Sequence, residues 1–251
     1  MRQIIRQFLY FLVPVFLFII VWWAVSAIFN NVQLLPGPMI VGKTFITSFK
    51  GSLLNDTIAS VQRVLFGFFI ASVLGIFLGL LCGVNKWISR LIFPILELLR
   101  PIPPIAWIPL AILWFGIGNN PAYFLVFLGA FFPIFSNTYL GVSSVEETYK
   151  RAAYSLGATP KAIITDIIFP ASLPQIFAGL KIGLGVGWMV VIAAELVGAQ
   201  SGLGYMIQLN RFLLNSPEIL TGMVTIGLVG FLLNLLITKI EKLAIPWSPK
   251  G

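Results

Sequence analysis

Six long apolar runs divide the chain, at about 8–28, 57–84, 91–115, 121–141, 176–198 and 219–238, and most polar residues fall between them. A helix rises 1.5 Å per residue, so about 20 apolar residues cross the hydrocarbon of a bilayer. Each run is long enough. The pattern predicts an all-α polytopic membrane protein with about six transmembrane helices in one domain covering 1–251. The first run is too long for the apolar part of a signal peptide, and AVSAIFNNV is a weak cleavage site, so it reads as a retained span. After it, LLPGP reads as a turn, and Met39 to Phe49 as a short helix at the membrane surface. The interval 199–218 has the mixed polarity of a short helix or re-entrant piece. The longest polar interval, 142–175, carries RAAYSLGATPKAIITDIIFPASLP from Arg151 to Pro174.

Composition agrees with this pattern. Of 251 residues, 59% are hydrophobic and 10% charged, whereas soluble domains carry about 25% charged residues. The net charge of +8 would point to nucleic acid in a soluble protein, but in a membrane protein Lys and Arg mark cytoplasmic loops. With the N-terminus inside, the inner segments hold Arg2, Arg6, Lys86, Arg90, Lys150, Arg151, Lys161, Lys239, Lys242 and Lys250. The outer ones hold Lys43, Lys50 and Arg211. Ten against three predicts both termini in the cytoplasm. The chain has no histidine and one cysteine, Cys82, inside an apolar run. No disulfide within the chain and no Cys/His metal cluster is expected.

GPMIVGKT, Gly37 to Thr44, matches the phosphate-binding G-x-x-x-x-G-K-[ST] letter for letter. That motif works between a strand and a helix of an α/β fold. Here it follows a membrane span, falls outside by the charge count, and has proline after its first glycine. A turn leading into a surface helix is the expectation.

Within the long inner loop, Gly157 suits a helix stop, and Thr159-Pro160 an N-cap followed by proline at the first helical position. The segment reads as helix, turn at GAT, second helix, then a break at Pro170 and Pro174. Ala152, Ala153, Gly157 and Ala158 leave room for a close approach. A short helix with small residues at its corner suits a groove on a soluble partner; a plain structured loop is the alternative.

The membrane runs carry their own chemistry. RPIPPIAWIP, Arg100 to Pro109, has four prolines in ten residues. Each removes a donor and disturbs the helix before it. Broken backbone at bilayer depth is tolerated only against protein or a water-filled cavity. Arg100, Pro103, Pro104 and Trp107 are therefore candidate pathway residues, with a packing kink as the alternative. Arg63, Glu97, Arg100, Lys181 and Glu195 lie in or near spans, where charges usually face partners or a pathway. Arg63 and Glu195 share a depth, as do Glu97 and Lys181, so each pair is expected to form a structural ion pair. Arg100 is left over, unless it pairs with Glu97 three residues before. Gly183 and Gly187 have the small-xxx-small spacing of a close helix contact, within the chain or across a dimer. Trp188 and Met189 beside them are candidate gate residues, with core packing as the alternative.

The loop resembles the cytoplasmic signature of the transmembrane subunits of bacterial ABC importers, E-A-A-x3-G-x9-I-x-L-P. Here it reads Arg151-Ala152-Ala153, Gly157, Ile167, Phe169-Pro170, with every spacing kept. Arg151 replaces the glutamate and Phe169 the leucine. LLPGP, LRPIPPIAWIPLAILWFGIG, GLKIGLGVGW, AAEL and GLGYMI are similar to the nitrate/sulfonate/taurine/bicarbonate group of permeases, the taurine and alkanesulfonate members most of all. The resemblance implies a type I importer permease fold. It also implies a coupling helix in which Arg151, Ala152, Ala153, Tyr154, Ser155, Leu156, Gly157, Ala158, Thr159, Pro160 and Lys161 meet the ATPase. It further implies two ATPase subunits holding ATP and Mg, with no cofactor and no metal on this chain. A periplasmic or lipid-anchored substrate-binding protein and a second permease copy, as a homodimer, complete the implied assembly in the bacterial inner membrane.

The implied activity is ATP-driven import of a small anion or zwitterion: taurine or another sulfonate first, nitrate or bicarbonate otherwise. An ion-coupled secondary transporter is the competing class. It would want an acidic relay beyond Glu97 and Glu195. An intramembrane enzyme would want a histidine, a metal cluster or paired carboxylates.

Overall fold

The computed structural model describes the backbone of residues 2–29 and 31–247 and the side chains of 12–29 and 31–247. Lys250 and the side chains of Arg2 and Arg6, which entered the charge count, lie outside the described residues. In order, the helices are α1 (Arg2–Phe29), α2 (Pro38–Phe49), α3 (Leu53–Val84), α4 (Lys86–Leu99), a 3-10 turn (Pro104–Trp107), α5 (Ile108–Phe115) and α6 (Asn119–Ser143). They are followed by α7 (Glu147–Ser155), α8 (Pro160–Ala162), a π-turn (Ile163–Ile168), α9 (Phe169–Gly198), α10 (Leu203–Phe212) and α11 (Ser216–Ala244). Among the described residues there is no strand. Five stretches are long and apolar enough to cross a membrane. A sixth crossing is α4 with the 3-10 turn and α5, bent by 80° between Leu99 and Pro104.

Helix α6 is the hub, and small residues let its neighbours close on it. Along α3, Gly67, Gly75, Gly79 and Gly83 face Val126, Ile134, Thr138 and Val142 in the same order, so the two helices run parallel. A Cβ on Gly79 would stand 2.6 Å from that of Thr138, and one on Gly67 2.7 Å from that of Val126. Helix α9 packs antiparallel on the other side. Gly129 meets Val186, Gly179 meets Asn137, and Gly141 meets Gln175. Lipid tails are as apolar as leucine, so association rests on close packing, which these glycines permit. Gly183 and Gly187 also pack on α6, against Ala130, Ile134 and Val126. The expected small-residue contact is therefore met within the chain.

One expectation changes. No break occurs at Pro170 or Pro174: one helical path runs from Pro160 to Gly198. The carbonyl that a proline at 170 would strand in an α-helix belongs to Asp166, which lies in the π-turn Ile163–Ile168. The wider turn takes up the misfit. GPMIVGKT makes no phosphate-binding loop and meets its expectation of a turn leading into a helix. Gly37 is extended (φ −71°, ψ 161°) and the remaining residues form the start of α2.

Candidate functional site

At one end of the bundle, α7 and α8 form a bracket with a sharp corner. Gly157 has φ +83°, a left-handed conformation that glycine adopts without a Cβ penalty. Its N–H donates to Tyr154 O (3.0 Å), and that of Ala158 donates to Ala153 O (3.0 Å). These are the 5→2 and 6→1 bonds of a Schellman motif. Thr159 Oγ1 then accepts from Ala162 N–H at 3.2 Å, with Pro160 as the first helical residue. Ala153 and Ala158 pack with Val142, Val145, Ile163, Ile168 and Leu80, fastening the bracket to α3 and α6. The corner itself projects. Tyr154 is 56% exposed and Leu156 88% exposed, while Arg151, Ala152, Ser155, Gly157 and Lys161 are also open. Beside it lies a cleft of about 660 Å³ whose lining includes Lys86, Arg90, Glu146, Glu147 and Lys150. The α3–α4 corner and the bracket therefore share an end.

The proline-rich segment breaks the third crossing as its composition demands. Arg100 and Pro103 are exposed where α4 ends. Pro104 docks against α6 at Gly129. Trp107 packs with Trp114 (ring centroids 6.4 Å apart) and edge-on to Phe124 (6.3 Å). Trp107 thus helps bind the reversed segment to α6, while Arg100 lies on the open side.

At the far end, Arg63 and Glu195 meet, Nη1 to Oε1 at 2.7 Å, with exposures of 4% and 1%. Ser60 Oγ lies 2.8 Å from Glu195 Oε2, and Gly204 N–H donates to the same oxygen at 2.9 Å. Arg63 also donates to the Ser201 carbonyl, to Ser201 Oγ and, through Nε, to Asn119 Oδ1 at 2.9 Å. Ser60 Oγ accepts from Leu203 N–H, and Asp56 accepts from Gly202 N–H at 2.8 Å. A buried charge pair is tolerable when its remaining valences are satisfied in this way. Gly202 (φ +109°) has no room for a side chain: a Cβ would fall 2.5 Å from Glu195 Oε1. The network ties α3, the start of α6, the end of α9 and the start of α10 together.

Asp56, Ser60, Asn119, Ser201, Gly202 and Gly204 were missed from sequence. The spacing of Asp56, Ser60 and Arg63, at i, i+4 and i+7 on one helix face, was the available signal.

The second expected ion pair is corrected. Lys181 binds Glu241 of α11, not Glu97. The apolar run ends near 238, but α11 continues to Ala244 and brings Glu241 alongside. Glu97 is exposed, and among the described residues it pairs with neither Lys181 nor Arg100. Trp188 is corrected too. It is 7% exposed, donates to Ile226 O at 3.1 Å and packs on Gly230. Held this way it is a core residue joining α9 to α11, not a free gate. Met189, next to it, is 69% exposed.

Residues 71–246 match the family described as binding-protein-dependent transport system inner membrane component. A putative ABC transporter permease protein of Methanocaldococcus jannaschii is 39% identical over 91% of this chain and 88% of its own length. The taurine transport system permease protein of Escherichia coli is 36% identical over 90% and 85%. The nitrate import permease protein of Synechococcus elongatus is 32% identical over 97% and 92%. Among solved structures, the inward-facing MetNI methionine ABC transporter superposes with a TM-score of 0.68 at 21% identity, covering 76% of this chain and 95% of that one. That likeness shows the type I permease fold. The bundle, its interrupted third crossing and the relatives across its length agree: this chain belongs to the family of inner membrane components of binding-protein-dependent transport systems, and is a multi-pass permease subunit of an ABC importer.

Proposed function

We propose that two copies of this chain form the translocation path of an importer for a small anionic or zwitterionic solute, with taurine or another sulfonate first and nitrate or bicarbonate next. The named taurine and nitrate permeases among its relatives support that choice of solutes. Both termini and the α7–α8 bracket lie in the cytoplasm of a bacterium, and the Arg63–Glu195 end faces the periplasm. A binding protein delivers solute there. Two ATPase subunits, holding ATP and Mg, grip Arg151 to Lys161. ATP binding draws the two brackets together and swings the bundle from inward-facing to outward-facing.

One observation carries this reading: a rigidly capped corner that leaves Tyr154 and Leu156 uncovered. Large exposed apolar side chains on a preorganised turn suit a groove on a partner. The test is co-purification of the ATPase with Gly157→Trp and Gly157→Asn variants. No atom stands within 4 Å of a Cβ at Gly157, so either variant inserts and folds. Asparagine tolerates the left-handed turn and retains the ATPase. Tryptophan fills the corner and reduces the retained ATPase at least about ten-fold, the loss of roughly 1.4 kcal/mol of binding. Full retention by the tryptophan variant contradicts the docking role.

A further inference from the structure

A cavity of about 300 Å³ lies between the broken third crossing and the α6–α9 face. Its lining includes Arg100, Pro104, Gly129, Pro133, Ser136 and Asn137. We infer that Arg100, Ser136 and Asn137 form an oxyanion-selecting site within this cavity, an inference that rests on the proposed role of the chain as a conduit.

Three observations lead there. First, Arg100 has no carboxylate within 4.0 Å among the described residues; the three acids that pair with cations are Glu195, Glu147 and Glu241. An unpaired guanidinium next to lipid is costly, so it belongs against water or a ligand. Second, the Ser136 hydroxyl makes no hydrogen bond to the described residues. Asn137 spends one N–H on Pro133 O at 2.8 Å, and its second amide hydrogen is left over. Both lie six to seven residues before the end of α6 at Ser143, about 10 Å along the helix at 1.5 Å per residue. Third, Pro133 has no N–H to give the carbonyl four residues earlier. That carbonyl belongs to Gly129, which lines the same cavity.

The chemistry follows from this set. A guanidinium, a hydroxyl and an amide N–H line this one cavity as donors, and a guanidinium can engage two oxygens of one anion. A nitrate or a sulfonate offers three acceptor oxygens to such donors. The Gly129 carbonyl is an acceptor on the opposite account: it would take the ammonium of a zwitterion such as taurine. At roughly 30 Å³ per water, the cavity has room for a solute of a few heavy atoms with part of its hydration shell.

The test uses the whole assembly, this chain with its ATPase and binding protein in proteoliposomes, supplied with nitrate, taurine or choline. Wild type accumulates nitrate or taurine and not choline. Arg100→Met lowers that accumulation at least about ten-fold, and Arg100→Lys restores part of it, since a point charge replaces the fork. Ser136→Ala and Asn137→Leu each lower it about three-fold, the loss of one ordinary hydrogen bond. Binding-protein-stimulated ATP hydrolysis and the gel-filtration profile stay at wild-type levels in all four variants, which separates a selecting site from a fold defect. Equal uptake by wild type and Arg100→Met overturns the inference and leaves the conduit intact. Accumulation of choline alone overturns the solute class. Hydrolysis with no uptake of any solute by wild type overturns the conduit reading, and this site with it.

Discussion

Arg63 and Leu156 mark two extremes of one chain. Arg63 is 4% exposed and reaches Asn119, Glu195 and Ser201 with its guanidinium. Leu156 is 88% exposed and stands on a turn closed by backbone hydrogen bonds. Around Arg63, four helices are fastened through side chains and backbone groups that satisfy one another. Around Leu156, the backbone is set firmly and the side chains are left open. The proposed function, a helical conduit moved by an ATPase at one end, calls for both. The far end must keep its helices in register while they swing, and the near end must present a stiff handle whose surface is completed by something else.

The largest expected effect comes from breaking the far end. Arg63→Leu strands Glu195 as a buried uncompensated charge and costs about 3–5 kcal/mol. Thermal unfolding in detergent, followed by fluorescence-detected gel filtration, should show a large fall in melting temperature or loss of the monodisperse peak. Replacing both partners, Arg63→Met with Glu195→Met, removes both charges together and recovers part of that loss. A single variant as stable as wild type would mean that the network is ornament.

The near end should behave oppositely. Gly157→Trp changes melting temperature by the equivalent of about 1 kcal/mol, the strain of a non-glycine residue at positive φ, while the ATPase is lost. Equal damage to stability at both ends would erase the distinction.

The smallest effect lies between them. Thr138 is wholly buried against Gly79, and its hydroxyl has no partner among the described residues. Thr138→Val keeps the shape and removes an orphaned polar atom, so stability holds or rises by up to about 1 kcal/mol. A marked loss would reveal a hidden partner for that hydroxyl.

Much of this was legible because a bilayer enforces simple rules. Apolar runs of the right length became helices, and four prolines in Arg100–Pro109 became an 80° bend. Gly157 and Thr159-Pro160 specified the bracket because positive φ and an N-cap leave plain residue signatures. What escaped was set by geometry without such a signature. The π-turn at Ile163–Ile168 carried the helix through Pro170. Helix α11 ran past its apolar stretch, so Glu241 rather than Glu97 reached Lys181. Four hydrogen bonds of the Glu195 network use backbone N–H or carbonyl from 201–204, groups that most residues carry. Gly183 and Gly187 have a spacing that serves equally for a neighbouring helix or a second copy; only the packing on α6 separates the two.

The central claim is that this permease does no work of its own and is moved by an ATPase gripping its bracket. Its most direct test is solute uptake into proteoliposomes containing this chain with and without the ATPase, at fixed binding protein and with ATP on the ATPase side. The expected result is accumulation of nitrate or taurine above the external concentration only when ATPase and ATP are both present. Uphill accumulation by the chain without the ATPase would contradict it.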